Sequence, residues 1–191
     1  MKNLPKSNQT AKLSKQDWIK AGFRALCNGG ANAIKIEVIA REIGATKGSF
    51  YWHFKDLPAL QEAMLDLWQD IGTSQVIDMA EEIPHPKDAL LAIVRFSLAP
   101  PEVEFGGTLA EIAIRDWGRW NEMANARIIH VDKSRIDYIF ELFRKIGFDA
   151  ATAKQKANIL YASYVGATHL RATGNEIKDG LLIAFARSLL T

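Results

Sequence analysis

The sequence predicts an all-α protein of two helical units, and three observations carry that expectation. The six prolines stand at positions 5, 58, 84, 86, 100 and 101, which leaves 6–57 and 102–191 free of the commonest helix breaker. No run of period-two alternation joined by Asn-Gly or Asp-Gly turns appears, so a sheet has no support. Hydrophobic residues make up 48% of the 191 positions, enough for a sizeable core and too many for general disorder.

From the N-terminus, a polar arm over 1–12 precedes Ser14-Lys15-Gln16-Asp17, which reads as a capping box for the free N–H groups of a first turn. A helix follows over about 15–27, with Trp18, Ile19, Gly22, Phe23 and Leu26 on one face and Gly29-Gly30 as its stop. The second helix, about 36–43, buries Ile36, Ile39, Ala40 and Ile43 and ends at Gly44, which can take a left-handed turn conformation. Thr46 caps a short third helix through about 53, with Phe50 and Phe54 facing inward. Asp56 as cap and Pro58 in the first turn start a fourth, about 57–79, that buries Leu57, Leu60, Met64 and Leu67.

Pro84-His85-Pro86 ends the reach of that fourth helix. A fifth, about 87–99, is bounded by Pro100-Pro101 and Gly106-Gly107, and further helices are expected at about 108–118, 121–146, 150–172 and 176–190. Gly147 and Gly174 are natural stops for two of them, giving nine helices in all. The division expected is 1–56 as one domain and 57–191 as the other, joined by the fourth helix.

Charge separates the two units. Residues 1–56 hold ten of the 24 Lys and Arg against four of the 22 Asp and Glu, so the first unit carries +6 and the remainder −4. Such asymmetry suits a polyanion-binding unit on a neutral-to-acidic body, although a solvated lysine face would count the same way.

Two short helices joined by a Gly-containing turn, the second rich in polar and aromatic residues, make a helix-turn-helix. An α-helix fits the major groove and offers free N–H groups and side chains at its first turn to phosphates and base edges. Thr46 and Ser49 supply hydroxyls, Lys47 supplies charge, and Gly48 permits close approach to the nucleic-acid backbone. Tyr51 and Trp52 project outward to meet a phosphate, a sugar or a thymine methyl; a packing role within the domain is the alternative for Trp52. His53 fits a phosphate ligand or a helix C-terminal cap better than a catalytic base, because no nucleophile or metal partner stands near it in sequence.

The run Ile39-Ala40-Arg41-Glu42-Ile43-Gly44-Ala45-Thr46-Lys47-Gly48-Ser49-Phe50-Tyr51-Trp52-His53-Phe54-Lys55 resembles the DNA-binding segment of the TetR/AcrR family of bacterial transcriptional regulators. The resemblance covers about 14–68 and implies a double-stranded DNA partner, a homodimer and a small organic effector held by the helical body. Two positions depart from the family pattern. Lys35 stands where the family usually has a Ser or Thr opening the second helix, and it can reach a phosphate as a point charge. Leu57 stands where the family favours Lys, and Lys55 is positioned to take over that phosphate.

In the body, Arg115-Asp116-Trp117-Gly118-Arg119-Trp120-Asn121 mixes two indoles with opposite charges. It reads either as part of an effector pocket, together with Met123 and Tyr138, or as a structural joint. The last two helices are apolar on more than one face, so Tyr161, Tyr164, Val165, Gly166, Leu182 and Phe185 are the expected dimer interface.

Other classes find less support. There is no Gly-rich phosphate loop, no HExxH and no Gly-x-Ser-x-Gly, so no catalytic residue, metal or cofactor is expected. An enzyme with a site assembled in space, or an all-α adaptor, leaves the basic N-terminus without a role. The single cysteine, Cys27, can build neither an internal disulfide nor a thiolate metal site alone. No uninterrupted apolar stretch, Leu181 to Ala186 among them, is long enough to cross a bilayer, and the N-terminus lacks a signal-peptide core, so the expected location is cytoplasmic.

Overall fold

The computed structural model describes residues 13–98, 105–175 and 177–191, and within them the chain is helical with no strand. The polar arm over 1–12, Pro100-Pro101 and the expected start of the last helix at Glu176 lie outside the described residues. Among the described residues no helix is long and apolar enough to cross a membrane.

Three helices form the N-terminal unit: α1 (Lys15–Gly29), α2 (Ile36–Glu42) and α3 (Lys47–Phe50). The capping box is present, with the Asp17 amide donating to Ser14 Oγ at 3.3 Å and the Ser14 amide donating to Asp17 Oδ2 at 2.7 Å. Gly44, between α2 and α3, has φ of +66°, the left-handed conformation that makes the turn sharp. Thr46 caps α3 through its hydroxyl, which accepts from the Ser49 amide at 3.1 Å. Regular α-helix ends at Phe50 rather than His53, because the Trp52 and His53 amides bond three residues back, to the Ser49 and Phe50 carbonyls, and tighten the chain.

Asp56 caps α4 (Leu57–Gln69) by accepting from the Ala59 amide at 2.9 Å. The expected single fourth helix is a continuous rod of three pieces: α4, a five-residue π turn over Asp70–Ser74, and α5 (Gln75–Glu81). The π turn passes the Arg135 side chain of the body. Arg135 Nε donates to Thr73 Oγ1 at 2.9 Å, and a Cβ on Gly72 would lie 2.9 Å from Arg135 Nη2. The wider loop lets the rod pass that guanidinium.

Five more helices complete the body: α6 (Pro86–Leu98), α7 (Ala110–Gly118), α8 (Glu122–Ile146), α9 (Ala150–Ala172) and α10 (Asp179–Ser188). Asn121 and Asp149 cap α8 and α9, and Gly147 ends α8 in the left-handed region at φ +115°. The last helix is shorter than the 176–190 expected.

Two apolar cores organise the packing. The first joins α1 to α4 with Ile114 and Trp117 of α7 and Ile128 and Val131 of α8, and the second joins α5, α6, α8, α9 and α10 around Leu90, Phe143 and Leu160. The first core therefore crosses the sequence boundary expected at 56/57. Close approach is built in at Gly22, where a Cβ would lie 2.6 Å from Met64 Sδ, so α1 is seated against α4.

Candidate nucleic-acid interface and effector cavity

The outer surface of α3 and the turn after it is unusually bare. Trp52 is 86% exposed and Tyr51 53% exposed, whereas Phe50 before them and Phe54 after them are buried. Phe50 takes the edge of Trp18 at a centroid distance of 5.3 Å and stacks on Phe54 at 5.5 Å, which locks the helix and leaves the other two rings outward. A contact within the domain is thus not what Trp52 makes. Tyr51 rests edge-on against Phe50 at 5.3 Å, and with the freer Trp52 ring it makes this face a candidate contact surface.

The surrounding side chains are held at that surface by polar contacts. Lys47 Nζ donates to Glu37 at 2.6 Å, which ties α3 to α2, and Arg24 donates to Glu42 at 2.5 Å, tying α1 to α2. Glu37 sits below its ordinary carboxyl range because it accepts from Lys47. A Cβ on Gly48 would meet only Thr46 Oγ1, at 3.7 Å, so nothing among the described residues requires glycine there. Lys35 and Lys55 are exposed, and His53 is half-buried.

Behind the rod lies a cavity of about 910 Å³. Its walls are mostly apolar, with Leu67, Val76, Leu90, Ile93, Phe105 and Tyr138 among them. Its polar end is a half-buried charge cluster that the sequence reading did not identify. Glu111 Oε1 accepts from Arg115 Nε at 2.9 Å and Arg135 Nη1 at 3.1 Å, while Oε2 accepts from the Trp68 indole at 2.8 Å. Arg115 also grips Asp132 in a two-pronged pair at 3.1 and 2.7 Å, and the Tyr161 hydroxyl donates to the same carboxylate at 2.6 Å.

Electrostatics follow from this closure. Burial opposes ionisation of Glu111, but the Arg135 and Arg115 guanidiniums outweigh it and hold the carboxyl below its ordinary value. Burial, reinforced by the nearby Glu111 charge, pushes the Tyr164 hydroxyl up to about 12. A signal for the cluster was present in the sequence: Asp132 and Arg135 fall in the same helical stripe as Ile128, Val131, Ile139 and Leu142, so two charges stand on an apolar face.

The structure corrects the expected pocket. Of Arg115, Trp117, Trp120, Met123 and Tyr138, the cavity wall includes Tyr138. Trp117 is 4% exposed in the first apolar core, because its face of α7 packs on α1 and α8. Trp120 is 83% exposed, with the Arg119 guanidinium 5.8 Å from its ring. Met123 packs against the first core, and Arg115 is committed to Glu111 and Asp132. Most of the corner over 115–121 therefore packs or faces away from the cavity, while Arg115 touches its polar end through Glu111 and Tyr161.

The expected dimer residues also divide. Tyr161 is turned inward to the charge cluster, Leu182 is 4% exposed in the second core, and Tyr164 lines the cavity. Val165 and Phe185 are half-buried. Gly166 is exposed, and with Ile159, Ala162 and Leu170 it forms a bare apolar stripe on α9, matched on α10 by Leu181 and Ala184. Among the described residues no group of His, Cys, Asp and Glu could hold a metal ion.

Comparison with known proteins agrees with this geometry. Residues 19–64 match the family described as bacterial regulatory proteins, tetR family. No curated protein matches the chain in sequence. Among solved structures, a TetR transcriptional regulator from Legionella pneumophila is 14% identical, with a TM-score of 0.77 over 98% of this chain and 100% of that one. A TetR transcription regulator from Haloarcula marismortui is 17% identical, with a TM-score of 0.74 over 92% and 95%. The FadR regulator of Bacillus subtilis in complex with stearoyl-CoA is 16% identical, with a TM-score of 0.66 over 93% and 96%. Residues 19–64 thus carry the N-terminal helix-turn-helix domain of the tetR family, and the chain around them has the all-helical fold of the solved TetR-family regulators.

Proposed function

We propose that the protein is a cytoplasmic, effector-responsive repressor that binds a palindromic operator as a homodimer. One observation carries the effector-responsive part: the cluster at the polar end of the cavity holds the rod that seats the reader, through Trp68 to Glu111 and Thr73 to Arg135. A small organic molecule that occupies the cavity better in one placement of the rod shifts the population toward that placement. Neighbours support an effector of this kind, since the FadR structure holds stearoyl-CoA and a regulator from Saccharomonospora viridis of the same fold holds choline.

The DNA contacts we assign are Lys35, Thr46, Lys47, Gly48, Ser49, Tyr51, Trp52, His53 and Lys55, on the unit spanning 1–56. The Thr46 hydroxyl already caps α3, so its share is to hold the helix start as well as to meet a phosphate. The dimer face we assign is the bare stripe of Ile159, Ala162, Gly166 and Leu170 with Leu181 of α10, continued by the half-buried Val165 and Phe185. Small residues there let two helix axes approach closely.

Selection of bound sequences from random duplex DNA tests this reading in one step. A two-fold dimer should return an inverted repeat whose half-sites fall on successive major grooves. Recovery of no sequence at low salt, or of a single non-repeated half-site, overturns it.

A further inference from the structure

The polar end of the cavity has a donor to spare and acceptors that are filled. Both Glu111 oxygens are taken, by Arg115 and Arg135 on one side and Trp68 on the other. Both Asp132 oxygens are taken, by Arg115 and by the Tyr161 hydroxyl. Arg135 differs. Its Nε donates to Thr73 and its Nη1 to Glu111 and Tyr161, but its Nη2 donates to no acceptor among the described residues. Arg135 and Tyr164 both line the cavity.

The charges are also balanced. Arg115 and Arg135 face Glu111 and Asp132, two cations against two anions. A ligand carboxylate would enter a neutral cluster and face Glu111, and a ligand ammonium would face two guanidiniums whose carboxylates are occupied; either leaves a poorly compensated charge away from water. The other charged residues of the lining each hold a contact away from this cluster: Lys20 lies 5.5 Å from the Phe105 ring centre, Asp70 accepts from Gln75, and Arg171 donates to the Ile177 carbonyl. An uncharged acceptor satisfies the Arg135 N–H without importing a charge.

We propose that the cavity takes a largely apolar molecule whose polar end is one uncharged hydrogen-bond acceptor, such as an amide, ester or ketone oxygen, seated on Arg135 Nη2. This rests on the reading of the cavity as the effector site. The π turn gives the seat its regulatory meaning, because the same guanidinium holds Thr73 and fits against Gly72. A head group that draws Arg135 toward the cavity acts on the rod at that turn.

The test is a matched series titrated into the full-length protein by calorimetry: dodecanamide, dodecanoate and dodecyltrimethylammonium, with displacement of the neutral fluorophore N-phenylnaphthylamine as a second readout. Dodecanamide is expected to bind at least about tenfold more tightly than either charged analogue, the scale of one well-made hydrogen bond against one uncompensated charge. Arg135→Lys, which keeps the positive charge beside Glu111 but loses the fork of donors, should erase most of that preference while circular dichroism shows the helical fold retained. Equal binding of the three, or tightest binding of the carboxylate or the ammonium, overturns the proposed head group and leaves the cavity as an effector site. Binding of neither fluorophore nor any member of the series overturns both.

Discussion

The indole N–H of Trp68 donates to Glu111 at 2.8 Å, and Arg135, which pairs with the same carboxylate, lies 5.4 Å from the Trp68 ring centre. One residue of the rod is thus clamped by an acid from α7 and a base from α8. Since α1 is seated on α4 at Gly22 and Met64, the clamp joins the cavity to the reader through packed helices rather than through a loop.

Removal of the acid in that clamp should be costly. Glu111→Gln leaves Arg115 and Arg135 facing Asp132 alone, and breaking a buried pair on one side typically costs about 3 kcal/mol. For a chain of this size that lowers Tm by roughly 10 °C, measured by scanning calorimetry. A Tm within about 1 °C of the parent would show that the cluster contributes no net stability.

The same carboxyl shapes the acid limb of stability. Glu111 and Asp132 are held below their ordinary values by their arginines, although burial opposes it, and Asp17 by its bonds to Ser14. A depressed folded-state value means the unfolded chain takes up protons first as pH falls. The stabilisation is therefore complete above the ordinary carboxyl range and is lost between about pH 5 and pH 2. In Glu111→Gln the decline of unfolding free energy across that window should be shallower, as followed by urea titration at each pH.

At the reader, stability and DNA affinity should separate. Gly48→Ala has room for its methyl and removes a glycine from a helix, so the fold should gain up to about 0.5 kcal/mol while DNA binding weakens. Trp52→Ala should leave Tm nearly unchanged, because the ring is 86% exposed, and should cut operator affinity. Lys47→Ala should reduce the slope of log affinity against log salt by about one, and Glu37→Gln, which frees Lys47 from its pair, should raise affinity. Gel-shift titrations across a salt series report all four, and an unchanged operator affinity for Gly48→Ala and Trp52→Ala together would remove this face from the interface.

The dimer assignment separates two substitutions on neighbouring helices. A Cβ at Gly166 meets nothing within 4 Å, so Gly166→Arg should give a folded protomer that sediments as a monomer. Leu182→Glu instead puts a carboxylate into the second core, where Leu182 is 4% exposed, and should unfold the body. Sedimentation velocity with circular dichroism distinguishes these outcomes, and a dimeric Gly166→Arg protein would rule out the α9 stripe.

Much of the architecture was legible in the chain because its causes are local. Ser14, Thr46, Asp56, Asn121 and Asp149 each cap the helix that the sequence leads one to expect, since a side-chain oxygen two or three residues from a free amide needs no distant partner. Gly44 and Gly147 take the left-handed conformations that their places between apolar runs imply. The helix-turn-helix and its family motif are short-range patterns of the same kind.

What only the tertiary structure decided is which face of each body helix meets which neighbour. Trp117 could have lined a pocket and Leu182 a partner by composition, and packing turned both inward. Arg115 could have clamped a ligand, and the fold spent it on Glu111 and Asp132. The π turn at Asp70–Ser74 has no sequence signature of its own, since it answers to Arg135, 62 positions from Thr73 along the chain. Periodicity marks an apolar face on a helix, but the identity of what covers that face is a long-range property, set by how the described helices fill two cores together.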